Sequence, residues 1–182
     1  MENVWKEFER NPITHSAAHH LVTIAELLEQ HGYARVSDVA RMLNITRGSA
    51  SLTLKALKQR GLVLEDENRF LKLSREGQRL AASVRGRAFV IHAFLTQVLG
   101  IPEDPAEVDT CKIEHLVSLA TADKLGQFVR FVDSGDPRAR AFLDGWRDYH
   151  ESCAHDPDAC PACQTECLTQ LCTDSVVQEA RA

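Results

Sequence analysis

The chain has 182 residues and a formal net charge of −5, with 44% hydrophobic and 26% charged residues. This composition excludes a disordered acidic tail, a collagen-like repeat and a membrane protein, since no apolar run approaches the roughly 20 residues that a bilayer span needs. At about 150 residues per domain, the length allows one domain or two small ones.

The opening stretch MENVWKEFERNPITHSAAHH carries charges throughout and lacks an apolar secretory core, so the expected location is cytoplasmic. In a reducing compartment, six cysteines are free thiols or metal ligands rather than a disulfide framework. The charge is uneven. Tyr33 to Ala88 holds 12 Lys and Arg against 5 Asp and Glu, leaving 9 basic and 21 acidic residues elsewhere. A basic block in an acidic protein points to one part that meets a polyanion, although a solvated helix face would show the same charge.

From Ser16 to Gln30, Ala17, Leu21, Ile24, Leu27 and Leu28 recur at helical spacing, and Gly32 stops the run. The stretch VSDVARMLNITRGSASLTLKALKQRG then holds two helical patterns around a break at Asn44-Ile45-Thr46. Ser37 or Asp38 can cap the first, which buries Val39, Ala40 and Leu43, and Thr46 can cap the second, which buries Ala50, Leu54 and Leu57. The second helix shows Arg47, Ser49, Ser51, Lys55 and Lys58 on its opposite face, the arrangement of a helix-turn-helix that offers its second helix to the major groove. Leu62-Val63-Leu64 and Phe70-Leu71-Lys72-Leu73, joined by a polar segment, read as a two-stranded wing. The alternative is a bundle corner with a hairpin; the co-occurrence of basic face, helix pair and wing favours the winged helix-turn-helix.

A long helix is expected from Ser74, its cap, to Leu99, where Gly100-Ile101-Pro102 breaks it. Further helices are expected over Ala106 to Ala120, Ala122 to Phe131 and Pro137 to Tyr149. The expected fold is mainly α: a winged helix-turn-helix domain over 14–80, an all-helical metal-binding and dimerisation domain over 81–150, and a cysteine-rich tail over 151–182.

The chemistry concentrates at Cys111, Glu114 and His115, which share a face at i, i+3 and i+4 of one expected helix. Thiolate, carboxylate and imidazole together form a mixed S, O, N set for a divalent transition metal. Glu107 lies one turn earlier on that face, and His92 lies on the long helix that a short loop joins to this one, so that the two can pack antiparallel with His92 facing the cluster. The first helix adds His15 and His19, four apart and stacked on one face. A partly buried cysteine beside a surface Glu-His pair is the bland alternative.

GYARVSDVARMLNITRGSASLTLKALKQRGLV, the isolated His92 in RAFVIHAFL, and TCKIEHLVS together resemble the metal-dependent repressors of the diphtheria toxin repressor and manganese transport regulator family, over about Ser16 to Val132. The resemblance implies a winged helix-turn-helix followed by a helical dimerisation domain, with metal at their junction. It also implies a homodimer on a palindromic double-stranded operator. It places metal ligands at His19, His92, Cys111, Glu114 and His115, with His15 and Glu107 as further candidates. Manganese-sensing members of the family carry carboxylates at the positions of His19, Val22 and Cys111. Iron-sensing members share the cysteine, but the carboxylate of their other site matches Thr96. Because manganese prefers oxygen donors, Fe(II) is the favoured ion, with Mn(II) or Zn(II) as alternatives and Co(II) or Ni(II) able to occupy the site in vitro. An ion joining the His19 half to the other half would set the spacing of two recognition helices at about one DNA turn, roughly 34 Å.

Cys153, Cys160, Cys163, Cys167 and Cys172 lie outside the resemblance. Cys160-Pro-Ala-Cys163 has the spacing of zinc knuckles and of some iron-sulfur ligands, and redox-active thiols are a further reading. Three functions follow: a metal-activated repressor of metal uptake genes, a regulator whose tail senses redox state or an iron-sulfur cluster, and a metal- or thiol-dependent enzyme. The enzyme is disfavoured. The dithiol lacks the strand and helix alternation of thioredoxin-like proteins, and the helical cluster offers no nucleophile pair.

Overall fold

A computed structural model describes residues 13–148, and the tail cysteines lie outside them. It is mainly helical with one two-stranded antiparallel sheet. The chain divides into compact units of residues 1–139 and 140–182.

The first helix, α1 (His15–His31), starts where the Thr14 side chain accepts from the Ala17 amide and ends at Gly32 in the left-handed region, φ 76°. Its apolar stripe of Leu21, Ile24 and Leu27 is buried. His20 is buried as well: its Nδ1–H donates to the Ser16 carbonyl at 2.6 Å, so it belongs to the interior rather than to the exposed histidine face. The helix pair is α2 (Val36–Met42) and α3 (Arg47–Gln59). The first begins at Val36 after an extended Arg35 that makes no side-chain cap, so neither Ser37 nor Asp38 caps it. Asn44 turns the chain at φ 52°, a conformation asparagine tolerates better than most residues, and Thr46 caps α3 by accepting from the Ser49 amide at 3.1 Å.

The wing pairs β1 (Val63–Glu65) with β2 (Leu71–Leu73) in the register Val63 with Leu73, Leu64 with Lys72 and Glu65 with Leu71. Asp66 closes its tip, its carboxylate accepting from the Asn68 and Phe70 amides, while Arg69 takes φ 62°. The Leu71 amide also donates to the Ala34 carbonyl at 2.8 Å, tying the wing to the α1–α2 connection. Leu21, Ile24, Leu54, Leu57, Val63 and Leu71 form one core beneath the three helices and the sheet.

Helix α4 (Arg75–Ala93) leaves the wing with Ser74 as its cap, and five residues of π-helix, Phe94–Val98, carry it to the Gly100 turn. Helix α5 (Glu103–Ile113) then ends seven residues short of the extent expected from the sequence. Glu114 and His115 are both buried, and the Ser118 hydroxyl accepts from the Thr121 amide to start α6 (Leu119–Asp133). Two polar residues turned inward and a strong N-cap four residues on outweigh helix propensity here. Helix α7 is Pro137–Asp148.

The junction of wing and α4 depends on one glycine. A Cβ at Gly77 would stand 2.2 Å from the Leu62 carbonyl oxygen, which itself accepts from the Ser74 amide at 3.0 Å. Gly77→Ala is expected to lower stability by about 1–3 kcal/mol, as overpacking does, read as a lower urea midpoint at unchanged slope.

Candidate metal centre and nucleic-acid interface

Helices α1 and α5 meet through chemistry rather than apolar packing at one point. The Cys111 Sγ lies 3.3 Å from His19 Nε2 and 3.9 Å from His15 Nε2, and one ligand atom from each of His15, His19 and Cys111 falls within 4.8 Å of the others. His15 and His19 sit a turn apart on α1 with ring centroids 4.4 Å apart. The Glu114 carboxylate reaches within 3.8 Å of His19 Nε2. His115, just past the end of α5, sets its ring 4.8 Å from that of His15. Three donors thus share one small volume, and Glu114 and His115 border it.

A tetrahedral ion about 2.0 Å from nitrogen and about 2.3 Å from sulfur needs ligand atoms about 3.5 Å apart, and the thiol and imidazole separations bracket that value. The donors fit a divalent transition ion. Burial, followed by the charges of His15, His115 and His20, holds His19 below the ordinary histidine range. Burial, then His15 and Arg87, does the same for His115, so both rings are neutral near pH 7 with a lone pair available. Burial and the Glu114 and Glu107 carboxylates push the Cys111 thiol up. Burial raises Glu114 too, against the pull of Arg87.

His92 is placed differently from the sequence expectation. Its Nε2 pairs with Glu103 Oε1 at 3.2 Å, outside the tight trio, although it lines a cavity of 430 Å³ together with His19, Glu107, Cys111 and Glu114. Glu103 carries no motif and emerges only because α5 begins there. Arg87 was equally unmarked: from α4, its Nη1 donates to the Val117 carbonyl at 3.0 Å and so braces the turn that follows Glu114 and His115.

At the other end of the molecule, Arg47, Ser49, Ser51 and Lys55 are exposed on α3. The Ser49 hydroxyl lies 3.0 Å from that of Thr46, within the cap, and Lys58 forms an ion pair with Glu65 of the wing, so these two are already engaged. Arg47, Ser51, Lys58, Glu65 and Arg69 line a cleft between α3 and the wing. The sequence reading missed two residues of this surface: Arg69 at the wing tip, and Leu52, which is 73% exposed in the middle of α3. An apolar side chain facing water on such a helix is a signal visible in the helical spacing alone.

Residues 74–141 match the family described as iron dependent repressor, metal binding and dimerisation domain. The HTH-type transcriptional regulator MntR of Bacillus pumilus (strain SAFR-032) is 29% identical over 126 residues, 69% of this chain and 87% of the relative. MntR of Bacillus subtilis (strain 168) is 28% identical over 127 residues, 70% and 89%. The chain is thus similar to metal-dependent repressors of the diphtheria toxin repressor and MntR family. Among solved structures, the manganese regulator SloR superposes with a TM-score of 0.58 at 26% identity, covering 63% of this chain and 54% of that one. For IdeR of T. acidophilum the values are 0.54, 24%, 63% and 53%, so the chain spans about half the length of these structures. The relatives are DNA-binding transcriptional regulators, not enzymes. No helix among the described residues is long and apolar enough to cross a membrane.

With His19 and His115 neutral and the thiol protonated, an ion bound here would displace close to one proton, from Cys111. The sign follows: protons compete with the metal, so apparent affinity for Zn(II) should rise about tenfold per pH unit between about pH 6.5 and 8. Calorimetry in buffers of different ionisation enthalpy would read this as about one proton released per ion at this site, and Cys111→Ser should remove it.

Proposed function

We propose that this protein is a homodimeric, metal-activated repressor that binds a palindromic operator, with Fe(II) as the cellular signal and metal uptake genes as its targets. The observation that carries this reading is the approach of Cys111 on α5 to His19 on α1 at 3.3 Å. Helix α1 packs into the core that holds α3, so an ion shared by these side chains would fasten the recognition helix to the segment matched as a dimerisation domain. Residues His19, Cys111, Glu114 and His115 would hold the ion; His92 and Glu107, with Glu103, would serve the adjoining cavity. A bound divalent ion supplies positive charge and fixed ligand geometry. The side chains supply the selectivity: sulfur and nitrogen donors favour Fe(II) or Zn(II) over the manganese named for the SloR neighbour.

On the DNA, Lys55 and Arg69 would contact phosphate while Arg47, Ser51 and Leu52 face base edges, Leu52 being suited to a thymine methyl. The proposed working location is the cytoplasm, the domain limits are 14–80, 81–150 and 151–182, and the tail thiols are a candidate zinc or iron-sulfur site.

Binding of the full chain to a palindromic promoter fragment, measured anaerobically with and without Fe(II), tests the reading. Fe(II) should tighten binding by about 5–150-fold, the usual range of allosteric coupling. The gain should vanish in Cys111→Ser and His115→Ala and persist in a truncation after His150; loss in the truncation alone would make the tail the sensor. Lys55→Ala should weaken binding at all sequences and reduce the slope of log K against log salt by about 1.

A further inference from the structure

We infer that His15 is a metal ligand beside His19, Cys111, Glu114 and His115, so that α1 grips the ion at two points one turn apart and the centre is selective for ions that take nitrogen and sulfur. The inference rests on the metal-site reading above and deepens it.

Three observations carry it. His15 Nε2 is 3.9 Å from the Cys111 sulfur, close to the separation of two ligands on one tetrahedral ion, although 96 residues of chain lie between them. His15 and His19 are four apart on α1, the spacing at which two imidazoles on a helix share one ion, and their ligand atoms and that of Cys111 all converge within 4.8 Å. His92, by contrast, pairs through Nε2 with Glu103 at 3.2 Å and lies outside the trio, so the second imidazole in contact with the thiol is His15. With Glu114 3.8 Å from His19 Nε2, the nearest donors are two nitrogens, one sulfur and one carboxylate oxygen. That set suits Zn(II), Co(II) or Fe(II). Mn(II), which favours carboxylate, carbonyl and water oxygens, gains least from replacing water by a second imidazole.

His15 is exposed in the described structure and occupies the first position of α1, so its replacement removes a donor without opening the core. Two rings in edge contact at 70° are the competing account of its position, and metal binding separates the two.

The test uses the reduced full chain and Co(II) as the probe, with the site's signal defined as the part of the absorption spectrum lost in Cys111→Ser. Wild type should show visible cobalt bands together with a thiolate-to-cobalt band in the near ultraviolet. His15→Ala should keep the thiolate band, lose intensity in the visible bands and bind Co(II) and Zn(II) more than about tenfold more weakly, since even an outer-shell partner of a ligand is worth that much. The deficit for Mn(II) should be smaller, so the ratio of Zn(II) to Mn(II) affinity falls. A His15→Ala protein with the wild-type cobalt spectrum and affinity, while His19→Ala is impaired, overturns the inference and leaves the metal-site reading standing. A wild-type spectrum without any Cys111-dependent part overturns both.

Discussion

The meeting of α1 and α5 at Cys111 and His19 is the constraint on which the rest of the molecule turns. A thiol and a neutral imidazole 3.3 Å apart form only a weak hydrogen bond, and the groups around them do not improve it. His15 crowds His19, two carboxylates face the sulfur, and burial keeps both His19 and Glu114 toward their neutral forms. These groups cannot satisfy one another with protons, because burial disfavours protonation of His19 and His115 and disfavours loss of the Cys111 proton. His19 and His115 would offer lone pairs, Cys111 a thiolate and Glu114 a carboxylate to a bound divalent cation, whose charge would offset each of these costs. The energy gained on binding is therefore concentrated at the contact between two segments that are otherwise far apart in the chain.

What makes that contact useful is how rigidly each side is held. On one side, Leu21, Ile24 and Leu27 of α1 lock the helix into the core that also buries Leu54 and Leu57 of α3, so a displacement at His19 is carried to the recognition helix. On the other, the turn after α5 is braced by Arg87, whose guanidinium holds the Val117 carbonyl and lies close enough to Glu114 to lower its carboxyl against the effect of burial. Gly77 lets α4 start directly against the wing, so the helix that carries Arg87 is itself continuous with the DNA-binding half.

The helix-turn-helix was legible in the sequence because its signals are local. Thr46 and Ser74 are caps with a clear partner three residues on, Gly32 ends α1 in the left-handed region, and the buried positions of α3 follow helical spacing. The start of α2 was not legible, because Ser37 and Asp38 are good capping residues that the extended Arg35 pre-empts. The extent of α5 was misjudged for a different reason. Nothing in the residues 106–120 forbids a helix, and the break follows from the burial of Glu114 and His115, which is a tertiary effect. The same limit applies to the site. Spacing can place Cys111 and Glu114 on one face and His15 with His19 on another, but that His92 turns to Glu103 depends on where α5 begins.

The two parts of the junction differ in hardness, and this bears on the choice of ion. Around Cys111 the donors are sulfur and nitrogen, whereas around His92 they are the carboxylates of Glu103 and Glu107, which face or line the adjoining cavity. A hard ion such as Mn(II) would find one carboxylate, Glu114, in the first region and two in the second, where Glu103 is largely exposed. A softer ion finds its best donors in the first, which joins α1 to α5. In the proposed reading, the region whose donors suit manganese least is also the region that would couple the two segments. An ion held only at His92 would bridge α4 and α5, which the short Gly100 turn already joins, and would leave α1 unrestrained. On this geometry, selectivity and activation are properties of the same few atoms.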